Sequence, residues 1–370
     1  MSEEGERTRN GPAPRDERNL TRMQERPIAP ADLDLILQHT EPLWDEMRNQ
    51  RLFITGGTGF FGSWILSSFI HANHALGLNA TATVLSRNPE QFAARVPHLA
   101  NHPAIALVRG DIRTFEMPSG SFDFVLHAAT EVVTIAPNVH PLDRYTAIAD
   151  GTARVLDFAA THATRKFLLT SSGAVYGRQP STLSHVPEDY AGAPDVLSPA
   201  SAYGEGKRAS ELMCALYAQQ SVIEFKIARC YALAGPCIPL DSHFAFANFI
   251  RDAMRGDGIQ IAGDGTTIRS YLYAADLAIW LWTILFNGPS MQAFNVGSEE
   301  AISIVELARL TAATLNPKIP IHIAQRPVEG APPLRYVPST QRAQQELNLR
   351  QTIDLTESIR RTAAWHGFPS

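Results

Sequence analysis

Tyr203 and Lys207 stand four residues apart at the start of Ser201–Gln220, a segment with helical spacing. On a helix that places both side chains on one face. A lysine ammonium beside a phenol favours the phenolate and predicts a Tyr203 pKa lowered toward the range useful for proton transfer. About thirty residues upstream, Thr170-Ser-Ser172 closes the apolar run that starts at Lys166. A serine hydroxyl there is placed to hydrogen-bond a substrate oxygen. A Tyr-x-x-x-Lys pair also arises by chance on exposed helices, so the argument rests on what precedes it.

The elements that must position these residues begin with Arg51-Leu-Phe-Ile-Thr-Gly-Gly-Thr-Gly-Phe-Phe-Gly62. An apolar run stops in a glycine-rich turn, and the helically spaced Trp64–Ile70 follows, which reads as strand, tight turn, helix. Gly56, Gly59 and Gly62 supply backbone conformations and close approaches that a Cβ would block. Between a strand and a helix, such a turn presents amides and a positive helix end to a pyrophosphate. Plain Gly-rich turns also join strands to helices, and only the downstream residues separate the two readings.

Further apolar runs at 80–86, 104–108, 122–127, 166–171 and 224–229 alternate with helical segments, notably Pro141–His162 and Ser201–Gln220. This predicts an α/β fold, a Rossmann-type doubly wound parallel sheet. Residues 1–28 are polar, charged and Pro/Gly-bearing and predict a disordered tail. Residues 29–50 carry a helical extension, and 51–231 form the dinucleotide-binding domain. From 232 to 370 the pattern loosens into a smaller C-terminal substrate-binding lobe, with some segments returning to the sheet. Helices are expected at 245–255, 276–286, 303–315 and 339–347.

The 370 residues with formal net charge −5 argue against a general nucleic-acid binder. Cys214, Cys230 and Cys237 form no metal-ligand spacing and no even disulfide set, which fits a reduced cytoplasmic compartment and no metal. The N-terminus lacks the apolar core of a secretory signal. The run Leu277–Phe286 is too short to span a bilayer, so no membrane association is expected.

With these motifs in place, residues 51 to about 365 resemble the extended short-chain dehydrogenase/reductase superfamily, in its NAD(P)-dependent nucleotide-sugar epimerase/dehydratase branch. The resemblance is carried by Thr55–Gly62, Gly110-Asp111, His127-Ala-Ala129, Thr170–Gly177, Tyr203–Lys207, Gly235-Pro236, Gly263-Asp-Gly265 and Arg269–Tyr273. It implies that Tyr203 is the general acid/base, that Lys207 holds the nicotinamide ribose, and that Ser172 is the hydroxyl partner. It implies cofactor contacts from Gly56, Gly59, Phe60, Phe61, Gly62, Asp111, Ile112, Ala128 and Ala129. It implies substrate contacts from Ser172, Gly173, Arg269 and Arg335, the arginines gripping the diphosphate of a nucleotide sugar. Each arginine also reads as a solvated ion pair. The relatives' pairing of two helices from each subunit implies a homodimer through 141–162 and 201–220.

The departures choose the reaction. Sugar 4,6-dehydratases of this branch carry Asp-Glu directly after the Ser/Thr, and decarboxylating relatives keep a Glu nearby; here stand Gly173 and Ala174. A dehydratase or decarboxylase would need a displaced acid, from Glu131 or Glu205, although both read equally as exposed carboxylates. Ile148 and Ala232 replace two asparagines common in the family. The second strand ends Thr83-Val-Leu-Ser-Arg-Asn88 without the acid that NAD-users place against the ribose 2′-hydroxyl. Ser86 and Arg87 there favour NADP over NAD. The leading expectation is an epimerase working through a 4-keto sugar. An NADPH-dependent 4-keto-sugar reductase is the alternative, and a non-catalytic nucleotide sensor on the same fold is the reading the intact Ser172, Tyr203 and Lys207 argue against.

Overall fold

The computed structural model describes residues 25–130, 139–242 and 244–369. Its elements begin with helix α1 (Pro30–Thr40) and a 3₁₀ turn (Glu41–Met47), then β1 (Arg51–Thr55), α2 (Phe60–Ala75) and β2 (Thr81–Ser86). After these come α3 (Pro89–Arg95), α4 (Pro97–Ala100), β3 (Ile105–Arg109), β4 (Phe124–His127), α5 (Pro141–Thr161), β5 (Lys166–Ser172), α6 (Ala202–Ala218) and β6 (Glu224–Cys230).

A seventh strand, Ala293–Val296, joins these six in one sheet of order 3-2-1-4-5-6-7. Every neighbouring pair in it is parallel. Both faces are covered. One carries the aromatic cluster Phe53, Phe115, Phe122, Phe158, Phe167 and Phe225 beneath α5 and α6. The other is covered by α1, α2 and the helix Ala274–Asn287, with Trp44, Trp64, Trp280 and Trp282 fully buried. Double coverage is why the strands read as continuous apolar runs. Strand order reverses between β1 and β4, and an open α/β sheet offers its ligand crevice at the carboxyl ends beside such a point.

The second lobe has its own core. Phe246, Phe249 and Ile250 of the helix Ala245–Arg255 pack against Ile259, Ile261, Leu307 and Ile359. Two of its short strands matter for the site. Arg335–Tyr336 runs parallel to Ile268–Arg269, with Arg335 opposite Ile268 and Tyr336 opposite Arg269.

Most of the expected tail at 1–28 lies outside the described residues. Of its last four residues, however, Ile28 is only 4% exposed and Glu25 pairs with Arg95, while Arg26 and Pro27 are exposed. Burial of one aliphatic side chain and a carboxylate–guanidinium pair overrides the polar composition that predicted disorder to residue 28. The extension that follows forms α1 and the 3₁₀ turn, pinned where the Trp44 ring meets Trp282 at 4.6 Å.

Candidate active site

The glycine turn fits a bound dinucleotide, and its glycines serve different purposes. Gly56 has φ +73°, and a Cβ there would sit 2.5–2.6 Å from the Ala128–Ala129 backbone. A Cβ on Gly62 would fall 2.1 Å from the Gly57 backbone. Both are required by packing within the protein. Gly59 is different: it is exposed, and the nearest atom to a Cβ there would be Gly56 O at 3.6 Å. The space beside Gly59 is open, leaving the first amides of α2 accessible to an approaching anion. Phe60 and Phe61, the first two residues of α2, are partly buried with their rings 6.2 Å apart.

Ser86 ends β2, buried, with its hydroxyl accepting from Asn88 N at 3.2 Å. Arg87 is exposed beside it. Asp111 follows β3 and is gripped at both oxygens by Arg113, at 2.8 and 3.1 Å. That guanidinium, with Arg87 further off, holds its carboxyl below the usual range. Ile112 packs where a Cβ on Gly151 of α5 would meet it at 2.8 Å.

Beneath Ala128 and Ala129 a buried polar chain crosses four elements. His127 Nδ1 and Thr55 Oγ lie 2.7 Å apart, and Nε2 reaches Thr152 Oγ at 3.1 Å. Thr152 meets Ser210 of α6 at 2.8 Å, and Thr55 Oγ accepts from Ala129 N at 3.2 Å. Burial, with the charge of Lys207, drives the His127 pKa to about 3, so the ring is neutral and bridges β1 and β4 to α5. In the sequence His127 stands out only as part of a motif; its ring partners on two other elements, β1 and α5, carry no local signal.

The structure brings Ser172, Tyr203 and Lys207 together. Ser172 stands at the carboxyl end of β5, Tyr203 and Lys207 on α6. Lys207 is 2% exposed and donates to Thr170 O at 2.8 Å. Burial lowers its pKa to about 8. The expected lowering of Tyr203 is not what the structure gives. Burial raises the Tyr203 pKa, opposed by the Ser172 and Thr130 hydroxyls, while Lys207 is turned to the Thr170 carbonyl.

Two tyrosines complete the site that sequence spacing did not indicate. Tyr336 Oη lies 3.4 Å from Ser172 Oγ, and the Tyr336 ring packs against Tyr231, tilted by 34° with centroids 4.5 Å apart. Arg269 sits over the Tyr336 ring at 5.4 Å. Arg335, opposite Ile268 in the ladder, projects to the other face from Arg269, because paired residues share a face and successive ones alternate. The structure therefore groups Arg269, and not Arg335, with Ser172 and Tyr203.

Gly173 faces the Tyr231 ring: a Cβ there would lie 2.5–2.8 Å from three ring carbons. An aromatic wall fills the space beside Gly173, the first of the two positions at which the resemblance expects the dehydratase acids. Glu205 lines a cavity of about 670 Å³ on the outer side of α6, with Arg208, Leu212 and Tyr145. It lies two residues from Tyr203 on a helix and so on another face. Glu131 lies outside the described residues.

A model of the NAD dependent epimerase/dehydratase family matches residues 52–297. UDP-glucuronic acid decarboxylase 5 of Arabidopsis thaliana is 29% identical over 316 residues, covering 84% of this chain and 87% of the relative. Among solved structures, UDP-glucuronic acid 4-epimerase from Bacillus cereus, with UDP-glucuronic acid and NAD, superposes with TM-score 0.71 at 21% identity, covering 85% of this chain and 98% of that one. A dTDP-glucose 4,6-dehydratase from Streptomyces venezuelae with NAD bound gives 0.72 at 22% identity, covering 86% and 97%. These structural likenesses establish the shared fold.

Proposed function

Because the chain belongs to the NAD dependent epimerase/dehydratase family, we propose that it is a nucleotide-sugar epimerase acting at C4 through a 4-keto intermediate. The observation that carries this reading is the Ser172–Tyr203–Lys207 group with Gly173 and Ala174 beside it and the Tyr231 ring against Gly173. As the phenolate, which the positive charges of Lys207 and of the oxidised nicotinamide would favour against burial, Tyr203 takes the C4 hydroxyl proton and returns it; Ser172 donates a hydrogen bond to the same oxygen. When bound, the nicotinamide supplies acceptance and return of the C4 hydride. Lys207, buried at the Tyr203 helix face, supplies positive charge and a donor for the ribose hydroxyls. Epimerisation requires the ketone to turn between the two hydride transfers, and no further acid. Elimination of water requires a proton donor at the leaving hydroxyl, and neither Gly173 nor Ala174 has one.

The open surface at Gly59 and the amides of Phe60 and Phe61 would hold the pyrophosphate. Arg87 and the lack of an acid at Ser86 support NADP, while the neighbours with NAD bound support NAD. Arg269 is the proposed diphosphate contact, and the similarity to UDP-glucuronic acid decarboxylases supports a UDP-sugar. That same similarity favours a second reading, decarboxylation of the 4-keto acid. The exposed Leu142 and Tyr145 of α5 with Leu212 and Leu216 of α6 support a homodimer through these helices.

The test is turnover of UDP-sugars by the protein as purified. Epimerisation without added nicotinamide and lost in Tyr203→Phe supports the reading; stoichiometric consumption of NADPH refutes it in favour of a reductase.

A further inference from the structure

The segment Glu25–Ala29 precedes every motif of the family, yet it reaches the glycine turn. Arg95, the last residue of α3, donates through one guanidinium nitrogen to Thr58 O, the carbonyl in the middle of that turn. Its other nitrogen pairs with Glu25, and Glu25 N donates back to Arg95 O at 2.9 Å. The Arg95 and Glu25 side chains are 27% and 21% exposed, so the pair is little screened.

The residues that follow Glu25 are anchored in turn. The Trp365 indole N–H lies 3.2 Å from both Arg26 O and Pro27 O, Ile28 is buried, and the Glu25 charge acts on His98 of α4 and His366. His366 in turn reaches Ile238 O at 3.1 Å, just past the Gly235–Cys237 turn.

We propose that Glu25 and Arg95 are positioning residues for the dinucleotide site, so that the N-terminal segment is a working part of it; this rests on Gly56–Gly62 being the pyrophosphate cradle. The physical need is clear. Four of the seven residues from Gly56 to Gly62 are glycine, and such a turn has little stiffness of its own. The Thr58–Gly59 peptide is planar, so anchoring Thr58 O fixes the direction of Gly59 N–H, which donates to Gly56 O at 3.2 Å. That sets the entry of α2 and the aim of its first free amides. Arg95 supplies the anchor from a neighbouring element, and Glu25 holds Arg95 in the one orientation that reaches it.

The test is calorimetric titration of the full-length protein, stripped of bound nucleotide, with NAD⁺ and with NADP⁺. Thermal midpoints are recorded beside it. Arg95→Met is expected to weaken both dinucleotides by the same factor, about ten-fold, since the turn contacts the part they share. Arg95→Lys, which keeps one donor for Thr58 O, recovers part of the loss. Glu25→Gln, the milder change, is expected to weaken both by a few-fold with little change in thermal midpoint. Because Glu25 acts through Arg95, adding Glu25→Gln to Arg95→Met costs almost nothing more. Unchanged affinity in Arg95→Met and Glu25→Gln, or losses that multiply in the double variant, would overturn the proposal while leaving the cradle standing. Wild-type protein binding neither dinucleotide would overturn the cradle and the proposal together.

Discussion

Replacing Gly173 with alanine tests whether the aromatic wall has displaced the acid of related dehydratases. The added Cβ would sit 2.5 Å from Tyr231 Cζ and within 2.8 Å of two more ring carbons. Ordinary contact needs about 3.5–4 Å, so the ring must retreat by about an ångström. It cannot retreat freely, because it packs against Tyr336 at 4.5 Å, and Tyr336 Oη in turn lies 3.4 Å from Ser172. Overpacking of this kind costs about 1–3 kcal/mol, which for a chain of this size lowers the thermal midpoint by roughly 1–4 °C. Displacement carried through Tyr336 to Ser172 is expected to lower kcat by about ten- to a hundred-fold. Differential scanning calorimetry and steady-state turnover read the two effects. The decisive comparison repeats Gly173→Ala in a Tyr231→Leu background, where the ring is gone and the thermal penalty should largely vanish. An equal penalty in both backgrounds, or none in the wild type, would refute the reasoning.

Three further outcomes follow from the same geometry. Lys207 falls from an ordinary 10.5 to about 8 on burial, so the folded state binds its proton less tightly than the unfolded chain, and the cost of the buried cation is present below pH 8. The stability of wild type relative to Lys207→Met should therefore rise by about 3 kcal/mol between pH 8 and 10.5, read by denaturant titration of nucleotide-free protein; a flat difference would contradict it. Arg87→Ala should weaken NADP⁺ by about ten-fold and NAD⁺ by much less, measured by fluorescence titration, and equal losses would sink the 2′-phosphate argument. His127→Phe removes the ring that joins Thr55 to Thr152 and leaves the Thr55 hydroxyl proton without its acceptor, while Thr152 keeps Ile148 O and Ser210, a loss of about 1–3 kcal/mol by denaturant unfolding; a neutral substitution would mean that the buried chain bridges nothing.

The central sheet was legible because its strands are buried on both faces and so leave continuous apolar runs. The seventh strand, Ala293–Val296, is four residues long with a polar Asn295 inside it, and it gives no such run. Asn295 belongs there because its side chain bonds Val186 O, Ser339 O and Tyr176 Oη at 2.8–2.9 Å, partners no local pattern reveals. Within the site, Tyr203 and Lys207 were legible because a helix converts a spacing of four into one face. Ser172 was legible because it ends a strand. Tyr231 and Tyr336 were not, since they meet only when strand pairing brings the second lobe over β5. Arg335 illustrates the same limit: its neighbour Tyr336 shares a face with Arg269, and alternation along the strand puts Arg335 on the other face, which a sequence spacing does not show. Tyr203 was expected to feel Lys207, but burial outweighs a charge whose hydrogen bond is spent on Thr170 O.

The most direct test of the account is the mass of the product formed from a panel of UDP-sugars that includes UDP-glucuronic acid. The account predicts a C4 epimer of the same mass as its substrate, formed with no net change in nicotinamide. Loss of water would contradict it, because elimination requires an acid that Gly173 and Ala174 do not provide, and loss of carbon dioxide would contradict it in favour of decarboxylation of the 4-keto acid.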